Sequence, residues 1–111
     1  MDRLDLLKVN NELYMASKRL DTGSKKLFKL AEEFAKAEER YRYALAKEID
    51  RLRQEGQAVT LIPDLARGNT SKLKLDRDLA EFTYTAARDS LKAIAVQISA
   101  LQSILRTQES I

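Results

Sequence analysis

The sequence predicts an all-α fold: a long antiparallel helical hairpin, coiled-coil-like, that dimerises into a four-helix bundle. Three observations carry this expectation. Apolar residues recur with a heptad period through the first half of the chain. Gly (3) and Pro (1) are scarce among 111 residues, and both disfavour helix interiors. Charged residues reach 33% beside 44% hydrophobic ones, the balance of long solvated helices rather than of a sheet protein. A chain of this length makes one domain, 1–111.

The first helix is read from its period. Leu6, Leu13, Leu20, Leu27, Phe34 and Tyr41 recur every seven residues. Val9, Ala16, Gly23, Leu30, Ala37 and Ala44 follow three places after each. That is an a/d seam. It keeps its phase across Thr22-Gly23-Ser24, which predicts one helix over about 3–54. Gly23 costs about 1 kcal/mol against Ala in a helix interior, so the alternative is that residues 1–20 fold back there as a third short helix. Beyond Tyr41 the stripe steps to Leu45, Ile49 and Leu52 and leaves Glu48 beside the seam. A four-residue step of this kind locally unwinds a supercoil. Gly56 then serves as the C-terminal cap.

Residues 56–71 form the tip loop. Val59-Thr60-Leu61-Ile62 reads as an extended segment packed on the hairpin tip, and Pro63 to Gly68 as one helical turn closed by Gly. Asn69, Thr70 and Ser71 are N-cap candidates for a second long helix over about 71–108. In that helix Ala80, Tyr84, Ala87, Leu91, Ile94, Ile98, Leu101 and Leu105 alternate at spacings of four and three. A second flank is also apolar: Leu79, Phe82, Ala86, Ala93, Val96, Ala100 and Ile104. One partner helix covers one stripe, so the second flank calls for another partner. At 1.5 Å per residue the first helix spans roughly 75–80 Å and the second roughly 55 Å. The difference leaves residues 3–16 as an overhang. The oligomer interface expected from these two arguments comprises Leu6, Val9, Leu13, Leu79, Phe82, Ala93, Val96, Ala100 and Ile104.

The chemistry is bounded by absences. The chain has no cysteine and no histidine. This removes thiolate chemistry, the usual zinc sites and His-based acid–base catalysis. The acidic pairs Glu32-Glu33 and Glu38-Glu39 would need a third carboxylate to match the Glu-Glu-x-x-Glu magnesium motif of all-α nucleotide pyrophosphohydrolases. Those places hold Lys36 and Arg42. No catalytic residue, metal site or cofactor is expected, and the chain does not read as an enzyme. The charged start, Met1-Asp2-Arg3-Leu4-Asp5, lacks the pattern of a signal peptide, and no apolar run reaches membrane-spanning length. A cytoplasmic location without membrane contact is expected.

Candidate binding residues gather at the tip: Arg42, Tyr43, Lys47, Glu48, Arg53, Arg67, Asn69, Thr70, Ser71, Lys72 and Arg77. Basic side chains beside free N–H groups at a helix N-terminus suit phosphate. Yet residues 36–77 hold ten basic against seven acidic positions, so a mixed-sign solvated surface is the favoured reading. Glu48 is expected to pair with Arg51, Arg67 or Arg77 and fix the loop on the hairpin. Tyr41 and Tyr84 fall on seam positions, while Tyr43 lies off the stripe beside Arg40 and Arg42 and is the one suited to base stacking.

A resemblance covers residues 41–81. It is carried by Tyr41-Arg42-Tyr43-Ala44-Leu45-Ala46-Lys47-Glu48-Ile49, by Leu52-Arg53 and Gly56, by Val59-Thr60-Leu61-Ile62-Pro63-Asp64-Leu65-Ala66-Arg67-Gly68, and by Arg77-Asp78-Leu79-Ala80-Glu81. Here the chain resembles a family of small, uncharacterised helical proteins from the early or replication regions of phages and prophages of Gram-positive bacteria. The resemblance implies a phage origin, hence a host-cell cytoplasm, and little mechanism. The first expectation is a homodimer that binds a host or phage protein in replication, recombination or anti-defence. The second is a nucleic-acid-binding accessory factor using the basic tip, net charge being +3. The third is an oligomeric sponge for a small phosphorylated ligand.

Overall fold

A computed structural model describes residues 1–109. The chain is an all-α helical hairpin with element order α1 (Arg3–Gln54), α2 (Ile62–Asn69) and α3 (Ser71–Glu109). Its packing falls into two compact units. One joins Met1–Phe28 of the N-terminal segment to the part of α3 from Thr85 onward; the other is Lys29–Tyr84.

In the first unit the seam is set by close approach. α1 continues through Gly23 without a break, so the fold-back alternative does not occur. A Cβ at Gly23 would overlap the Leu91 side chain, lying 3.5 Å from its Cγ. Gly23 is therefore a contact position, where the missing side chain makes room for a leucine of α3. Ala16 and Leu101 are buried in this unit. Leu6, Val9 and Leu13 are half-buried, which corrects the expectation of an uncovered overhang.

The second unit is built around the end of α1. α1 ends in a Schellman motif: Gln57 N–H donates to Leu52 C=O, Gly56 N–H donates to Arg53 C=O (both 3.1 Å), and Gly56 takes φ +79°. A left-handed residue at this place is the usual glycine cap. Residues 59–61 form turns rather than an extended segment, and Val59, expected to pack on the tip, is 82% exposed. Ile62 is the residue of that run that packs inward. It joins Leu52 and Ala66 in a small core flanked by Leu45 and Ile49. The short turn expected at 63–68 is instead an eight-residue helix that runs through Gly68. α2 thus occupies the upper end of the α1 stripe. α3 starts beside the mid-forties of α1 and not level with its end, and the pairs Phe34–Tyr84 and Glu38–Arg77 follow from that register.

Candidate functional site

At the tip, most candidate cations already hold carboxylates. Arg42 and Arg77 both donate to Glu38. Arg77 also reaches Asp78 at 3.0 Å and Glu81 at 3.4 Å, and its guanidinium stacks 5.8 Å from the Phe34 ring centroid. Arg67 pairs with Asp64 at 2.9 Å and Lys72 with Asp76 at 3.5 Å. Lys47 Nζ sits 5.0 Å from the centroid of the exposed Tyr43 ring, a cation–π contact. Arg53 is exposed and has no ion pair among the described residues.

Glu48 pairs with Arg51 and accepts from Asn69 Nδ2 at 2.8 Å. It fixes α2 to α1 through Asn69, and not through Arg67 or Arg77. Thr70 is buried. Its hydroxyl and its N–H both donate to Ala66 C=O, at 2.8 and 3.1 Å, and its own carbonyl accepts the first α3 bond, from Lys74 N–H. Asn69 and Thr70 are thus committed internally, while Ser71 is exposed. The Arg77 guanidinium, then that of Arg42, holds the Glu38 carboxyl below the usual carboxylate range. Arg51, then Asn69, does the same for Glu48. These are signatures of satisfied ion pairs rather than of a poised acid or base. No group of three or more His, Cys, Asp or Glu among the described residues could hold a metal ion, and no described helix is long and apolar enough to cross a membrane.

The second flank of α3 is exposed within each unit. In the unit of residues 29–84, Leu79 and Phe82 are exposed, Phe82 by 73%. In the other unit Ala93, Ala100, Val96 (70%) and Ile104 are exposed.

Sequence reasoning missed a second surface in the unit of residues 1–28 and 85 onward. An open groove of about 300 Å³ is lined by Met15, Lys18, Arg19, Thr22, Gly23 and Lys26. Arg19 Nη2 donates to Gln97 Oε1 at 3.5 Å, which places two rows side by side. Met15, Arg19, Thr22 and Lys26 step along α1 by four, three and four residues; Ala93, Gln97, Ala100 and Ile104 do the same along α3. Residues at such spacings share a helix face. Lys18, Arg19 and Lys26 have no carboxylate partner among the described residues; Lys18 lies 4.9 Å from the Tyr14 ring centroid. The signal was present in the sequence: between 18 and 29 stand Lys18, Arg19, Lys25, Lys26 and Lys29 against Asp21 alone. No family model, curated protein or solved structure matches the chain.

Proposed function

We propose that this chain is a non-enzymatic interaction protein that docks on another protein through the open flank of α3. The observation that supports it is the imbalance of burial. The buried apolar residues are Ala16, Ala37, Leu52, Ile62, Ala66 and Leu101, and among the described residues no large side chain is fully buried. Phe82 and Val96 meanwhile stand open. Covering a side chain of this kind contributes about 1.5–3 kcal/mol, so a partner's surface completes what the hairpin leaves unfinished. With the phage resemblance of residues 41–81, the reading is a phage-encoded adaptor in the host cytoplasm, acting on a host or phage protein of replication, recombination or defence.

The test is reconstitution with a purified partner found by tagging the chain in host cells. Val96→Asp and Phe82→Asp should weaken binding at least about tenfold, since each loses apolar burial and buries a charge, while helicity stays intact. Binding that ignores both substitutions overturns the reading. A second reading, self-association into a four-helix bundle through Leu79 and Phe82, is favoured by the same exposure. Light scattering at two protein concentrations decides it: a dimer that Phe82→Asp dissociates supports it, and a monomer throughout removes it.

A further inference from the structure

The double row beside the Arg19–Gln97 contact combines features that the tip lacks. Met15 and Thr22 line the groove on α1, and the adjoining α3 row, reached through the Arg19–Gln97 contact, carries the exposed Ala93 and Ala100 with Ile104 beyond. Gly23, against which Leu91 packs, also lines the groove. Its rim carries Lys18, Arg19 and Lys26. Arg19 spends one donor on the neutral Gln97 amide and keeps its charge uncompensated. Where the tip cations close on Glu38, Asp64 and Asp76, these close on no acid of their own unit among the described residues.

We propose that this double row receives an acidic amphipathic helix of a partner protein, with small apolar residues seated on Ala93, Ala100 and Met15 and carboxylates reaching Arg19, Lys26 and Lys18. The proposal rests on the interaction-protein reading and names the class of partner. Three considerations select it. Rows at four- and three-residue steps form the ridges and grooves into which another helix packs, and alanines allow close approach. Arg19 and Lys26 are one heptad apart, about 10.5 Å at 1.5 Å per residue, so carboxylates one heptad apart on a helix lying along α1 meet both. A second copy seated here would bring the same cations toward their own counterparts, which like-charge repulsion disfavours. A nucleic-acid backbone would find phosphate partners in Lys18, Arg19 and Lys26 but an apolar row of Ala93, Ala100 and Ile104 beside them.

The test uses the full chain and a synthetic amphipathic helix with an alanine–leucine seam and a glutamate in every heptad, followed by fluorescence anisotropy. Three results are expected. The peptide binds, and binding weakens as salt is raised. The double variant Arg19→Glu/Lys26→Glu weakens it about tenfold or more, whereas Lys72→Glu at the tip leaves it unchanged. Ala100→Gln, an exposed substitution that the hairpin tolerates, weakens it independently by filling the seat. Equal binding of the peptide with glutamine in place of glutamate overturns the proposal yet leaves the interaction-protein reading standing. So does a DNA duplex that binds in an Arg19- and Lys26-dependent way while the acidic helix does not. Self-association abolished by Arg19→Glu/Lys26→Glu would instead assign the row to a second copy and overturn it too.

Discussion

Replacing Gly23 with alanine sets two effects of similar size against each other. Inside a helix, alanine is favoured over glycine by about 0.8–1.0 kcal/mol. The new Cβ, however, would overlap Leu91 Cδ2, while Cγ at 3.5 Å stays in ordinary van der Waals contact. Leu91 is half-buried on the seam and must change rotamer, an overpacking cost of about 1–3 kcal/mol. The net expectation for Gly23→Ala is a loss of about 0–2 kcal/mol. In a Leu91→Ala background the obstacle is gone, and Gly23→Ala should then stabilise by about 1 kcal/mol. The pair therefore couples by about 1–3 kcal/mol in a double-mutant cycle. Urea unfolding followed by circular dichroism at fixed protein concentration measures all four variants; a fixed concentration keeps any association from entering the comparison. If Gly23→Ala stabilises both backgrounds equally, Gly23 is only a weak point of the helix and the close approach to Leu91 is refuted.

Other expectations follow from the second unit and from the surface. Ile62→Ala removes the side chain that joins Leu52 and Ala66; it should cost about 2–4 kcal/mol and speed amide exchange across residues 57–70 first. The Glu38 carboxyl is held low by Arg77 and Arg42, so its folded value lies below its unfolded one. Its contribution is present at neutral pH and is lost as pH falls through the folded value. Thermal midpoints should accordingly drop on acidification below the usual carboxylate range, and Glu38→Gln should flatten that drop; parallel profiles would show that the Glu38–Arg77 pair does not carry it. Phe28 is 81% exposed, and Phe28→Ser should change unfolding free energy by no more than about 0.5 kcal/mol. A larger loss would mean that this ring is covered in solution.

What could be read from the sequence was whatever depends on neighbours along one helix. The a/d positions of α1, from Leu6 through Leu52, are all half-buried or buried, and the α3 seam from Ala80 to Leu105 likewise. Gly56 as the cap was also legible, because a glycine after a long periodic run has a local conformational reason. The register between α1 and α3 was not. Length arithmetic placed the start of α3 level with the end of α1, since a loop was expected where α2 docks on Leu45, Ile49 and Leu52. That docking gives the end of α1 a partner of its own at the tip. The tip cations misled for a related reason: whether Arg42 or Arg77 is free depends on a glutamate thirty-nine residues from Arg77, Glu38. The basic run 18–29 was visible, but the α3 row that Arg19 reaches through Gln97 belongs to a distant part of the chain.

A heptad seam has a property that its burial does not reveal: it is translationally degenerate. Sliding one helix along the other by seven residues brings apolar faces back together, so burial alone ranks several alignments closely. Polar contacts among the described residues are not periodic in this way: Arg19 with Gln97 in one unit, and in the other Glu38 with Arg77 and Glu48 with Asn69 of α2. The Gly23–Leu91 fit is a fourth local marker. Together with the docked α2 they distinguish one alignment from its neighbours, as a single polar position does in a coiled coil. Their joint removal would leave the helices wound and their stripes still covered. The protein would lose singularity, and a population of slipped hairpins would share one circular dichroism spectrum.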